Sequence, residues 1–214
     1  GISTFIMQAS ESIVNICFNS SLQLYGGDMA VGAMTILSSV MQFAMLPLQG
    51  MGQGSQPIIS YNYGARKVDR VKKAFWLLLK ANCCYSTLLW AFVMLFPRLF
   101  ASLFTSDAAL IDFTVPALRT YLAVLFIFGV QMACQMTFVS IGNALMSAIA
   151  AIVRKFVLLL PLIYLMPHLF PGSKTFAVYL AEPVTDMLAV TFTAITFYFT
   201  FRKALAQLER PAAK

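Results

Sequence analysis

Six long apolar runs, separated by short polar or glycine- and proline-containing connections, account for most of the 214 residues. A run of about 20 apolar residues is long enough for a helix to cross about 30 Å of hydrocarbon. The pattern therefore predicts an all-α integral membrane protein, with residues 1–214 forming a single bundle of six transmembrane helices. The predicted spans are 4–24, 30–61, 75–96, 116–141, 156–170 and 175–201.

The second run ends in an unusual composition, GMGQGSQPIISYNYGA, over residues 50–65. Glycine, proline and amide residues are tolerated at membrane depth where neighbouring helices or a water-filled cavity satisfy the backbone. A run of 32 residues exceeds the membrane thickness, so its helix must tilt, protrude or bend, with Pro47 and Pro57 as kink points. We predict a hinge or gate formed by Gly50, Gly54, Gln56, Pro57 and Asn62.

The first run carries a polar stripe, because Glu11, Asn15 and Asn19 follow one another at helical spacing. A carboxyl group in hydrocarbon costs about 2.5–3.5 kcal/mol unless it is paired, neutralised or hydrated. We therefore predict ion coupling by Glu11 with Asn15, through uptake of a proton or ligation of a sodium ion. The alternative is a permanently protonated glutamic acid that hydrogen-bonds to a neighbouring helix.

A second amide stripe, formed by Gln131 and Gln135, follows in the fourth run. Together with Asn19 and Gln8, these residues are predicted to line a substrate cavity. Glu182 and Asp186 are secondary acid candidates on one helix face, in the first third of the sixth run, where water can reach. A structural role at the start of that helix and a role in ion coupling both remain open for them.

Composition excludes a soluble catalytic domain, since 60% of the residues are hydrophobic, 11% are charged and the mean hydropathy is +0.80. The chain contains no HExxH or GxSxG motif, so we predict no catalytic residue and no enzyme. Four cysteines fall inside apolar runs without metal-ligand spacing, which predicts free thiols and no metal site. We expect no cofactor apart from the coupling ion, H⁺ or Na⁺.

The net charge of +7 is best interpreted through the distribution of basic residues between the two sides of the membrane. Six spans place both chain ends on the same side. The connection 142–155 is counted on that side. Three basic residues fall on the other side: Arg98, Arg119 and Lys174. The near side holds 12: Arg66, Lys67, Arg70, Lys72, Lys73, Lys80, Arg154, Lys155, Arg202, Lys203, Arg210 and Lys214. The positive-inside rule then predicts cytoplasmic termini and makes a nucleic-acid partner unnecessary.

Several stretches resemble the multidrug and toxic compound extrusion (MATE) family: LQLYGGDMAVGA, GMGQGSQPIISYNYGARK, FGVQMACQMTFVSIGNA and AEPVTDMLA. The resemblance covers nearly the whole chain. It implies the C-terminal half of a twelve-helix transporter of the bacterial inner membrane that exchanges sodium or protons for organic cations by alternating access. The remaining partner would be an N-terminal bundle of six helices.

The resemblance places Glu11 where some members keep a cation-coupling acid in helix seven. Where some members have an aspartate in helix ten, this chain offers only Gln131 and Gln135, which leaves a carboxylate sodium cage incomplete. That departure favours proton coupling or a different ion site.

Two rival functions remain at this point. A lipid-linked saccharide flippase of the same superfamily would need a more cationic cavity, and both Arg119 and Arg154 look interfacial. A non-transporting six-helix membrane assembly protein would use the polar stripes as contacts between helices.

Overall fold

The computed structural model describes the backbone of residues 2–209 and the side chains of residues 9–209. Over this part of the chain the protein is helical and contains no strand, as predicted. The helices are α1 (Ile2–Gly64), α2 (Val68–Leu95), α3 (Pro97–Ser102), α4 (Ala108–Tyr121), α5 (Phe128–Ser140), α6 (Ala144–Ile152), α7 (Leu160–Leu169) and α8 (Lys174–Glu209). A π-helix, Val153–Leu159, joins α6 to α7, and short 3₁₀ turns cover Leu125–Ile127 and Pro171–Ser173.

Helix α1 consists of two arms that meet at Gly27, which has φ 64° and ψ −157°. This backbone conformation lies in the region that favours glycine, and a side chain here would be strained. At Gly26 a Cβ would lie 2.5 Å from the Ala30 Cβ, so the chain closes tightly on itself. Two consecutive glycines after an apolar run are typical of a turn, and the structure places the turn at this pair.

The segment from α6 to α7 and helix α8 form an antiparallel hairpin. The chain leaves α7 at Leu169 and enters α8 at Lys174. Arg154, which precedes this turn, contacts Glu182 and Asp186, which follow it. Residues far from the turn meet in this way only if α8 returns along the same path.

The first arm of α1 runs parallel to the segment 144–169. Glu11 pairs with Lys155, and further along both segments the side chain of Cys17 lies close to that of Tyr164. Residue numbers therefore increase in the same direction along the two segments, as they do in parallel helices.

The second arm of α1 runs parallel to α8. Near its start the Tyr179 hydroxyl donates to the Ala30 carbonyl at 2.6 Å, and just beyond its end Arg66 donates to the carbonyls of Gln207 and Leu208. Because α8 opposes the segment that the first arm follows, the two arms of α1 are antiparallel, and Gly27 reverses the chain.

Four helical segments are long and apolar enough to cross a membrane: Ala9–Gly64, Val68–Leu95, Ala144–Leu169 and Pro171–Glu209. The pair Ala108–Tyr121 and Leu125–Ser140, bent by 44°, gives a fifth. Dividing the first segment at Gly27 yields the six runs that the hydrophobic pattern predicts.

Two of these runs differ in extent from the predicted spans. The fourth run begins at Ala108 and is interrupted, whereas the prediction was a continuous span over 116–141. The fifth begins at Ala144, twelve residues before the predicted start at 156. The sequence ALMSAIAAI is rich in strong helix formers and forms α6, so the expected connection is in fact part of the helical run.

Side chains of α2 stabilise the break in the fourth run. Trp90 Nε1 donates to the Ala123 carbonyl at 2.8 Å, and Ser86 Oγ donates to the Phe126 carbonyl at 2.9 Å. A break in a helix frees carbonyl oxygens, which are costly in an apolar environment unless another donor satisfies them. The two donors from α2 meet that requirement.

Small residues allow helices to approach closely around α5. A Cβ at Gly129 would lie 2.7 Å from the backbone carbonyl of Asn82 in α2, and a Cβ at Gly52 would lie 2.5 Å from the Met136 side chain. Helix pairs in membranes depend on such close approach for dispersion contacts. Gly54 and Gly50 have nothing within 4 Å and serve no comparable packing role.

We predict that Gly129→Ala destabilises the protein by about 1–3 kcal/mol, because the added methyl group meets rigid backbone of α2. The measurement is the midpoint of thermal unfolding of purified protein in detergent. The control is Gly54→Ala, where the methyl group enters open space and alanine favours the helix, so the midpoint should stay or rise. Equal midpoints for the two variants would contradict the close contact of α5 with α2.

Candidate functional site

Arg154 and Lys155 lie inside the helical run 144–169, in the π-helix Val153–Leu159. The prediction that they end a connection between two helices is therefore wrong. π-Helical segments within α-helices are frequent at functional sites, since they shift side chains relative to the regular register. Removing these two residues leaves 10 of the 12 basic residues counted on the cytoplasmic side, and Arg210 and Lys214 of that count lie outside the described residues.

Arg154 bridges two acids of α8. Its Nε and Nη2 lie 2.9 and 2.7 Å from Asp186 Oδ1, and Nη2 also lies 2.5 Å from Glu182 Oε1. The two acids are one helical turn apart, so one guanidinium reaches both. Such charge-assisted hydrogen bonds with a planar fork are among the strongest that side chains form.

Burial distinguishes this cluster from surface ion pairs. Glu182 is 4% exposed and Asp186 is 3% exposed. Within this half of the fold water therefore does not reach them, contrary to the prediction from the sequence. The Phe128 ring lies 5.2 Å from the Arg154 guanidinium carbon and covers one side of it. Tyr121, also buried, is within electrostatic range of Arg154 and of both acids.

Lys155 extends the cluster to the first arm of α1, where it forms an ion pair with Glu11. The Lys155 side chain is largely buried, whereas that of Glu11 is 55% exposed. Two consecutive cations thus bind acids on two different helices. We refer to Arg154, Lys155, Glu11, Glu182 and Asp186 as the charge network.

The charge network carries more acid than base. When all five groups are ionised, three carboxylates face one guanidinium and one ammonium, which leaves one negative charge uncompensated. A net charge at membrane depth is costly and strengthens the binding of any cation that reaches it. Across the described residues there is no group of three or more His, Cys, Asp or Glu side chains arranged to hold a metal ion.

The predicted cavity residues separate into two sets. Asn15 and Asn19 lie with Glu11 on the exposed face of the first arm, and the side chain of Gln8 falls outside the described residues. Gln131 is 1% exposed and lines neither of the two cavities described below, so it lies in the core of this half, and its role in a substrate cavity stays a prediction. Gln135 is half-buried and donates to the Ser147 carbonyl of α6.

Gln131 is buried without a hydrogen-bond partner for either amide atom among the described residues. It lies less than one turn beyond Phe128, the residue that covers Arg154, and one turn before Gln135. Its helical register therefore turns it toward the segment that carries the charge network.

The predicted hinge lies along a continuous helix. Pro47 and Pro57 keep helical backbone angles, since Gly27 is the one position inside α1 that departs from them. Gly50, Gly54 and Pro57 are exposed and Gln56 is half-buried. Asn62 is buried and donates to the Ile58 carbonyl, as within a regular helix. The role of this stretch as a hinge stays a prediction.

The described residues form at least two cavities that open on the bundle surface. One has a volume of about 430 Å³ and lies between the ends of α1, α5 and α8. The other, of about 410 Å³, is a mostly apolar groove along α8 lined by Ile127, Met187, Val190, Thr191, Ala194 and Ile195.

Sequence reasoning found the acids of the charge network but missed Arg154 and Lys155. One signal was present in the sequence. Both cations have apolar residues on either side, in ALMSAIAAIV and FVLLLPLIYL, and two acids predicted at membrane depth require a counter-ion.

Known proteins similar to this chain are transporters. Residues 3–165 match the MatE family. Multidrug export protein MepA of Staphylococcus aureus (strain NCTC 8325 / PS 47) is 24% identical over 170 residues, which make up 79% of this chain and 37% of MepA. This chain thus spans well under half of the length of MepA.

Two solved structures extend the similarity to the fold. The MATE multidrug transporter DinF-BH is 32% identical with a TM-score of 0.77, covering 92% of this chain and 44% of that chain. An inward-facing conformation of a multidrug resistance MATE family transporter of the MOP superfamily is 25% identical with a TM-score of 0.83, covering 96% of this chain and 46% of that chain. Since the MatE match covers more than half of the sequence and the helical bundle superposes on these transporters, the chain belongs to the MatE family.

Proposed function

We propose that this chain is the C-terminal half of an antiporter that exports organic cations in exchange for H⁺ or Na⁺ by alternating access. The observation that supports it is the buried excess of acid over base in the charge network, where two carboxyl groups of α8 share one guanidinium of the π-helix. MepA is named a multidrug export protein and DinF-BH a multidrug transporter, which supports drug-like substrates. We place the protein in the bacterial inner membrane with both ends of this chain in the cytoplasm.

Exchange follows from one negative charge that two kinds of cation can neutralise. A proton or a sodium ion bound at the network makes it neutral, and an organic cation near the network has the same effect. Because binding of one weakens binding of the other, each conformation carries either the coupling ion or the substrate. A gradient of the coupling ion then drives export.

The exposed stripe of Glu11, Asn15 and Asn19 supplies the surface along which substrate would pass. Polar side chains at membrane depth face water or protein rather than lipid. We propose that an N-terminal bundle of six helices faces this stripe, with Gln8 extending it, and that the path runs between the two bundles.

The charge network favours this function over a lipid-linked saccharide flippase. A site for pyrophosphate needs free cationic groups. Arg154 is occupied by two carboxylates and Lys155 by one, so the network repels a polyanion.

We predict that Glu182→Gln in the full-length protein lowers gradient-driven ethidium efflux at least tenfold. The variant leaves Arg154 paired with Asp186. The network then becomes neutral without any bound cation, so it no longer attracts the coupling ion or the organic cation. The measurement is ethidium efflux from proteoliposomes with an imposed proton or sodium gradient, at equal amounts of reconstituted protein.

The matched control is Asp112→Asn, which removes an acid from an exposed pair with Arg98. It should transport like the wild type, because exposed ion pairs contribute little. Wild-type efflux by a folded Glu182→Gln variant under both gradients would contradict the role of the network.

Variants of Glu11 and Lys155 can distinguish a structural ion pair from a site that couples ion binding to transport. We predict that Glu11→Gln abolishes efflux and that the exchange Glu11→Lys with Lys155→Glu does not restore it, since the carboxylate then points from another helix. Glu11→Gln should lower the midpoint of thermal unfolding, because it leaves the largely buried Lys155 ammonium unpaired, so efflux is compared at equal amounts of folded protein. Restored efflux in the exchanged variant would show that the pair serves only to hold two helices together.

The residues Gly50, Gly54, Gln56, Pro57 and Asn62 are proposed as the hinge on which the bundles rock. We predict that Pro57→Ala slows transport more than it weakens substrate binding, because alanine restores the backbone hydrogen bond that proline lacks and stiffens the helix. The measurements are initial efflux rates and equilibrium binding of ethidium. A larger change in binding than in rate would make Pro57 a substrate contact.

A further inference from the structure

The cavity of about 430 Å³ lies at one end of the bundle and has no role in the proposed transport path. It is formed by Tyr63 of α1, the turn between α5 and α6, Met146, and the last turns of α8. Its volume falls within the range of about 300–1,000 Å³ that is usual for small-molecule pockets. The lining combines polar side chains with apolar ones: Asn143, Thr200, Lys203 and Gln207 with Ile141, Met146, Phe199 and Ala204.

Lys203 is the cationic residue of the lining, and no acid lines the cavity. None of the four ion pairs found among residues 9–209 involves Lys203. The ammonium group is therefore available to an anion from outside the protein.

The surroundings of the cavity are strongly basic. Arg66 joins the loop after α1 to the end of α8 by donating to the carbonyls of Gln207 and Leu208. This contact brings two basic stretches to the same end of the bundle. Seven basic residues occur there, against the two acids Asp69 and Glu209: Arg66, Lys67, Arg70, Lys72, Lys73, Arg202 and Lys203. The net charge of about +5 favours an anionic ligand.

The cavity lies where the apolar surface of the bundle gives way to this basic end. Tyr61, Tyr198 and Phe199 are exposed aromatic residues at this level. Aromatic belts of this kind mark the boundary between hydrocarbon and water, at the depth of lipid headgroups. An amphipathic ligand could place its charged group at Lys203 and its apolar part along Phe199.

We propose that this cavity binds the headgroup of an anionic phospholipid. The phosphodiester is bound by Lys203, the neighbouring hydroxyl and amide groups of Thr200, Asn143 and Gln207 bind its polar substituent, and the acyl chains lie against the exposed aromatic surface. Basic pockets between membrane helices are suited to such lipids because charge and apolar contact act together. This site is independent of the charge network and of the proposed antiport.

The test uses the full-length protein that contains this chain, purified in detergent, and follows its thermal unfolding while phosphatidylglycerol or phosphatidylcholine is added. Phosphatidylglycerol should raise the unfolding temperature and phosphatidylcholine should not. Lys203→Gln should weaken the apparent affinity for phosphatidylglycerol about fivefold, and Lys203→Glu should weaken it further. Both substitutions are at an exposed position, so folding is preserved.

The matched control is Lys174→Gln, an exposed lysine over the Tyr25 ring at the opposite end of the bundle. It should respond to phosphatidylglycerol like the wild type. An equal loss in the Lys174 and Lys203 variants, or no loss in either, overturns the assignment of the site. Stabilisation by inorganic phosphate alone, at millimolar concentration and to the same extent, overturns the lipid as the ligand and leaves a site for free phosphate.

Discussion

The burial of the Arg154 guanidinium between two carboxylates is the interaction on which the helix arrangement depends. A buried ion that loses its partner costs about 3–5 kcal/mol, so α8 has to remain against the π-helix at Glu182 and Asp186. The next residue, Lys155, binds Glu11 in the first arm of α1. Two consecutive cations therefore determine how two other helices pack against one segment, and they combine structural support with the charge that the proposed exchange uses.

Much of the fold could be predicted because its signals are local. The lengths of the apolar runs give the number of helical runs, and the glycine pair at residues 26–27 gives the reversal in α1. The acids were found because a carboxylate inside an apolar run is costly wherever it lies. The orientation of the chain in the membrane remains a prediction.

The position of Arg154 was not accessible to the same reasoning. Two basic residues after a stretch of small residues are typical of a connection as much as of a helix interior. What distinguishes the two cases is a pair of acids 28 and 32 residues further along the chain. Gln131 illustrates a related limit, because helical spacing places it on one face with Gln135 but does not say that its face is the core. Residues 122–127, where α4 and α5 bend, contain no proline or glycine that would have predicted the bend.

That bend also has a mechanical consequence. Both donors that satisfy it, Ser86 and Trp90, come from adjacent turns of α2. A change in the angle between α4 and α5 would separate the half-buried Trp90 indole from its acceptor, at about 1–3 kcal/mol, and would leave the buried Ser86 hydroxyl only the Cys83 carbonyl of its own helix. The two hydrogen bonds from α2 thus hold the angle between α4 and α5 fixed. Motion of this half relative to a partner bundle is carried by the three segments together, and bending within the fourth run contributes little to it.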